Sequence, residues 1–292
     1  MASLRLRLPA NAAGDFYVDS TCIDCDLCRQ IAPHTFAAVG EQSAVQAQPV
    51  TMHDTQAALR ALVTCPTASI GTATRHDMRA AIAAFPEPVT DSVFFCGFAA
   101  ESSFGASTYL VVRPEGNVLV DSPRWSSLLA RRIEALGGVA TLFLTHQDDV
   151  ADHERWAKHF DATRVLHRDD WSRSFGSIER LVEGHDPIGL AQDLLVIPTP
   201  GHTRGHCVLL YANRVLFTGD HLWWSDRQQG LVASPSVAWW SWPEQVRSLE
   251  RLRDFDFDWI LPGHGRRLHA PDGRMRPLLE ACIARAQAVG RT

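Results

Sequence analysis

The chain has 292 residues, 46% of them hydrophobic, and a formal charge of -5. That length allows one large domain, or a small one joined to a large one, around a substantial core. The acidic balance argues against nucleic acid as a partner. No apolar run approaches the roughly 20 residues that cross a bilayer, and the start, MASLRLRLPANAAGDF, lacks a signal-type apolar segment. A cytoplasmic chain with no membrane partner is therefore expected.

In chain order, residues 1 to about 13 read as a tail or edge strand. Asp15 to Gly71 holds a cluster of cysteines and a helical stretch, Asp54 to Thr64, with Ala58, Leu59 and Leu62 at helical spacing. The alanine-rich piece RHDMRAAIAAFPEP ends in prolines and reads as a helical linker. A boundary near residue 75 separates a small domain, 1–75, from a larger one, 76–292. Beyond it, apolar β-branched runs over Ser92–Phe98, Thr108–Arg113 and Asn117–Val120 predict hairpin strands, and Pro123–Leu136 a helix. ATLFLTH, TRVLH, LLVIPTP, CVLLYA, RVLFTGD and WILPGHG follow as strands. Helices are expected over Val150–Phe160, Pro243–Phe255 and Arg276–Val289. Polar residues sit where the strands end, so the class is α+β with a small domain in front.

Cys22, Cys25 and Cys28 are each separated by two residues, which lets one tight loop present three thiolates to the corners of a cubane cluster. Cys65, followed by Pro66, supplies the fourth thiol. A structural zinc site uses similar spacing and is the alternative. CIDCDLCRQIAPHTF with ALVTCPTASI resembles the single-cluster ferredoxin family over residues 15 to 71. The resemblance implies one 4Fe-4S cluster on Cys22, Cys25, Cys28 and Cys65, because a second set of cysteines is absent. Cys96, Cys207 and Cys282 lie in apolar surroundings and read as core residues.

Four strand ends carry potential metal ligands: His146 in LTH, His202 in PGHTRGH, Asp220 in TGDH and His264 in LPGHG. Short polar side chains at strand tips would share one sheet edge, and a metal cleft follows. These motifs strongly resemble the metallo-β-lactamase superfamily over residues 92 to 268. The resemblance implies an αβ/βα sandwich, with His202, Asp220 and His264 as ligands and Asp220 bridging two metals. Asp121 matches that family's early strand-end aspartate, which supports the site from outside the ligand set.

The first metal motif departs from the family's His-x-His-x-Asp-His. The chain reads THQDDVADHERW, so Asp148 takes the second histidine's place, and Val150 and Ala151 stand where the Asp-His pair belongs. Asp149 and His153 are four apart, on one face of a helical start. The expected ligands here are His146, Asp149 and His153, then Asp148, with Asp152 behind; a carboxylate not used for metal would cap the helix. Carboxylates in place of histidine shift preference from zinc toward iron or manganese, for one or two divalent metals. His206 is expected to order the loop around His202, and His221 is a weaker candidate for support. Five tryptophans within HLWWSD and AWWSWPEQ suggest packing, or a wall for substrate.

The leading functional expectation is metal-dependent hydrolysis of an ester, thioester, lactone or amide in a small-molecule substrate, with Asp149 or Asp220 orienting the nucleophile. The alternative is an iron-dependent oxidoreductase whose His/Asp site receives electrons from the cluster, with a redox partner protein. A third reading makes the cluster a redox or iron sensor beside a lost site.

Overall fold

The computed structural model describes residues 2–289. The chain divides into two compact units, one running to Ala140 and including Ala151–Asp161, the other made of Thr141–Val150 and the chain from Ala162 on.

In the first unit, Phe16–Val18 pairs antiparallel with Ile70–Thr72, and Phe36–Val39 forms a hairpin with Gln42–Val45. Phe16, Val18, Phe36, Val45, Leu59 and Ile70 are buried and form apolar core here. The helix Met52–Thr64 starts two residues earlier than the periodicity predicts, because Thr51 caps it by accepting the Asp54 N–H at 3.0 Å. Pro66 fixes its end. The residue before a proline is driven out of helical geometry, and Cys65 takes φ -53° and ψ 119°. The alanine-rich linker is helical only over Arg79–Ala83.

The rest of this unit holds four strands in order, Glu87–Pro88, Val93–Phe95, Tyr109–Val111 and Val118–Val120, all antiparallel. Ser126 caps the helix Ser127–Ala135. The helix expected from Val150 begins only at His153 and runs to Phe160. Trp156, 1% exposed, anchors it by donating its indole N–H to the Pro123 carbonyl at 2.8 Å.

In the second unit, Thr141–Phe143, Thr163–His167 and Arg180–Val182 are parallel neighbours. A six-stranded sheet follows in the order Ile188–Ala191, Leu194–Pro198, Cys207–Tyr211, Val215–Gly219, Trp259–Pro262, Leu268–His269. Ile197, Val208, Leu210, Leu216, Ile260 and Ile283 join its core, with Leu249 from the helix Trp242–Arg251 and Leu279 from Met275–Val289. Cys96, Cys207 and Cys282 are buried in their units, as expected.

The helix Trp242–Arg251 holds the PGHTRGH loop. Ser241 caps it and donates its own N–H to Gly201 O at 3.0 Å, while Ser248 donates to Pro200 O at 2.7 Å. Ser241→Ala should cost about 1 kcal/mol in chemical denaturation, the usual worth of a lost N-cap. No helix among the described residues is long and apolar enough to cross a membrane.

Candidate metal centre

Strand ends carry the candidate ligands. His146 lies just past Thr141–Phe143, His202 between Leu194–Pro198 and Cys207–Tyr211, Asp220 directly after Val215–Gly219, and His264 after Trp259–Pro262. Two groups of ligand atoms result, each within 4.8 Å: His146, Asp148 and His202, and His146, Asp149 and Asp220.

In the first group Asp148 Oδ2 lies 3.8 Å from His146 Nε2 and 3.5 Å from His202 Nε2. All three of these atoms are buried without a hydrogen-bond partner. Leaving polar atoms unpaired and dry is costly, so their convergence on one point marks a cation site. The other ring nitrogens are occupied: His146 Nδ1 is 2.9 Å from Thr145 Oγ1, and His202 Nδ1 donates to the Val237 carbonyl. Such contacts fix the tautomer that leaves Nε2 free for metal.

Asp220 reaches in two directions, with Oδ2 3.7 Å from His202 Nε2 and Oδ1 2.7 Å from His264 Nδ1. One carboxylate thus faces both imidazoles. Asp149 Oδ2 stands 4.0 Å from His146 Nε2. A Cβ on Gly263 would lie 2.8 Å from Asp149 Oδ2 and 3.0 Å from Asp220 Oδ1, so only glycine lets the two carboxylates approach there. Both aspartates of the altered motif therefore point into the centre. Asp152 does not share that role: its Oδ2 accepts the Trp125 N–H at 2.7 Å. His153 is buried as the first residue of its helix and belongs to neither group.

Burial pushes the His146 ring down to about 4, so the imidazole is neutral at neutral pH, the form that can take up a metal. At His202 burial also opposes the charged form, but Asp148 and Asp220 outweigh it and raise the pKa. At Asp220 burial opposes ionisation and His264, His146 and His202 outweigh that, holding the carboxyl far below its usual range. Three imidazoles and three carboxylates thus fit divalent metal.

His206 serves the centre through Asp220. Its Nε2 accepts the Asp220 N–H at 3.3 Å, so Nδ1–H is the donor to Thr199 Oγ1 at 2.9 Å. His206→Ala would leave both partners buried and unpaired, at about 1–3 kcal/mol each. Metal affinity should fall about 10- to 100-fold in a titration, as for other groups that orient a ligand. His221, also fully buried and lowered by burial to about 3, contacts the His206 ring at 5.7 Å between centroids.

Asp170, which no motif reasoning singles out, ties two ligand loops together. Its Oδ2 accepts from Gln147 N–H at 3.1 Å and from Thr203 Oγ1 at 2.5 Å, and its Oδ1 from Gly205 N–H at 2.6 Å. The available sequence signal was its position just past the strand Thr163–His167, the same kind of strand-end placement as His146. Of the tryptophan-rich segments, Trp223, Trp224 and Trp242 are partly buried, whereas Trp239 is 60% and Trp240 46% exposed. The Trp239 ring lies 4.7 Å from that of His202.

In the first unit, Asp24 and Asp26 take positive φ, turning the loop that carries Cys22, Cys25 and Cys28, and Arg29 clamps both carboxylates. Ser43 N–H donates to Cys22 Sγ at 3.4 Å and Ser69 N–H to Cys65 Sγ at 3.3 Å. Hydrogen bonds to sulfur are a common means of tuning cluster potential. Burial pushes the Cys25 and Cys28 thiols up to about 12, with Cys22 and Cys65 close enough to act on each. Uptake of a cluster must then displace thiol protons. The four thiols and their N–H donors fit a 4Fe-4S group.

Buried imidazoles and carboxylates thus gather at strand tips of the second unit. Residues 103–264 match the family model described as "Metallo-beta-lactamase superfamily", and the chain belongs to that superfamily. Residues 18–72 match "4Fe-4S single cluster domain of Ferredoxin I", so the chain joins a single-cluster ferredoxin domain to it. It is 23% identical over 201 residues to the Beta-lactamase-like protein 2 homolog of Drosophila melanogaster, covering 62% of this chain and 65% of that protein. With the uncharacterized protein YobT of Bacillus subtilis (strain 168) it shares 32% identity over 111 residues, 35% of this chain and 45% of YobT. The chain thus spans less than two thirds of either relative. Among solved structures, the mono-zinc form of the metallo-β-lactamase FIM-1 from Pseudomonas aeruginosa matches with a TM-score of 0.54 at 16% identity, covering 69% of this chain and 94% of that one. VMB-1 matches at 0.53 and 17%, covering 70% and 96%. These likenesses establish the fold.

Proposed function

We propose that this chain is a metal-dependent hydrolase acting on an ester, thioester, lactone or amide bond of a small molecule. The observation that carries the reading is Asp220, one carboxylate facing His202 with one oxygen and His264 with the other. When bound, a metal pair supplies a nucleophilic hydroxide at neutral pH and polarises the scissile carbonyl. The protein's share is orientation: Asp149 and Asp220 would hold the nucleophile by accepting its hydrogen bond, and the exposed Trp239 offers an apolar face beside His202. The test is a panel of these four bond classes with metal-replete protein. One class should be cleaved, and His202→Ala should lose metal and at least about 100-fold in rate, since even groups behind a ligand are worth 10–100-fold. Failure to cleave any class, with metal content unchanged in His202→Ala, would sink the proposal.

A second reading has its own support. His146, His202 and Asp148 make a two-histidine, one-carboxylate set, the donor combination of non-haem iron sites. With a one-electron carrier in the same chain and a redox partner protein to supply it, this favours an iron oxidoreductase using dioxygen. Reduced protein mixed with dioxygen should then reoxidise its cluster at a rate that depends on His146 and His264; a rate indifferent to both would exclude this reading.

A further inference from the structure

The superfamily portion of the first unit grips the cluster-binding segment at two points. At one, Gly105 has φ +84°, and a Cβ there would lie 2.7 Å from Cys25 Cβ and 3.1 Å from both Cys25 Sγ and Pro66 Cγ. The backbone at Gly105 is therefore in direct contact with the cluster loop. At the other, Arg124 Nη2 donates at 3.1 Å to the carbonyl of Val63, two residues before Cys65. That guanidinium lies 5.9 Å over the Phe98 ring, and the Arg124 N–H donates to Phe98 O at 2.8 Å.

The contacts continue along the chain from Arg124. Trp125 gives its N–H to Asp152 Oδ2 at 2.7 Å, and its ring sits 4.6 Å from that of Trp156 and 4.7 Å beneath the Arg155 guanidinium. Trp156 in turn bonds Pro123. Residues 123–125 are thus fastened at one side to the residue pair before the fourth cysteine. At the other they are fastened to Asp152, three residues after Asp149. One short segment thus carries both the contact before Cys65 and the contact to Asp152.

We propose that Arg124 is a positioning residue that couples the 4Fe-4S cluster to the His/Asp metal centre, so that filling either site strengthens the other. Reciprocity is required by linkage: if the cluster raises metal affinity, metal raises retention of the cluster by the same factor. The coupling rests on the metal-binding part of the function proposed above and not on any bond being hydrolysed.

The experiment is a double-mutant cycle on the full chain with cobalt(II) as the probe, read by its absorption. Cluster-loaded protein is compared with a form in which Cys22, Cys25, Cys28 and Cys65 are all replaced by serine, each with Arg124 and with Arg124→Gln. With Arg124, removing the cluster should weaken cobalt binding at least about fivefold, the lower end of ordinary coupling between sites. With Arg124→Gln the ratio should fall to near one while the reduced cluster keeps its paramagnetic signal, and Arg124→Lys should restore part of it. Equal ratios in both backgrounds overturn the coupling alone; no cobalt uptake by the loaded wild type overturns the metal centre as well. Should the serine form not fold, hydrogen exchange over residues 124–126 and 152–156 before and after air-driven cluster loss decides it. Faster exchange in both segments supports the link, and change confined to residues 18–72 refutes it.

Discussion

Replacing Asp170 by alanine should cost on the order of 4 kcal/mol in folding stability and about 10- to 100-fold in metal affinity. Three donors, the N–H groups of Gln147 and Gly205 and the hydroxyl of Thr203, converge on this one buried carboxylate. Deleting it strands two buried donors, the Gly205 N–H and the Thr203 hydroxyl, each worth about 1–3 kcal/mol, and lets the Gln147 and Thr203 loops part. His146 and His202 directly precede Gln147 and Thr203, so loss of alignment reaches both imidazoles. Asp170→Asn should fall between wild type and alanine, because its amide supplies one acceptor and sets an NH2 against a remaining donor. Urea denaturation and metal titration of the two variants check this. An alanine variant with unaltered metal affinity would show that the two loops are held by other contacts.

Cys65→Ala should convert or abolish the cluster. With three thiols left, the iron content attributable to the cluster should drop from four per chain to three or fewer, and the paramagnetic signal of the reduced 4Fe-4S form should disappear. The local effect should extend beyond the metal. Residues 18–72 build a core too small to be robust alone, and a bound cofactor contributes folding energy where the apolar core is thin. Hydrogen exchange in Leu27–Ile31 and Met52–Thr64 should rise when the cluster is lost, measured against the same anaerobic protein intact. Retention of a four-iron cluster in Cys65→Ala would show that the fourth ligand has been misassigned.

The parts of this protein legible in sequence are those where chemistry and local geometry coincide. Cys65-Pro66 announces both a ligand and the end of a helix, and the structure ends the helix there. LTH, PGH, TGD and LPGH each close an apolar strand, which places their ligands before any partner is known. The altered motif was harder. Asp148 and Asp149 both turn inward, while the helix starts at His153 instead of Val150 and Asp152 bonds Trp125; helical spacing alone cannot show that. Asp170 had only its strand-end position as a signal, because its action passes through N–H and hydroxyl groups 23 to 35 residues away in sequence. Arg124 is the same case, reaching a carbonyl 61 residues away.

Trp239 gives the metal centre an optical handle. Its indole is 60% exposed and its ring stands 4.7 Å from the His202 ring. An open-shell ion held by that imidazole would quench a fluorophore at such range, whereas zinc, with its filled d shell, would leave it bright. Emission lost on adding cobalt, regained on exchange into zinc, and absent from a Trp239→Phe difference spectrum would make the protein its own reporter of which ion it carries.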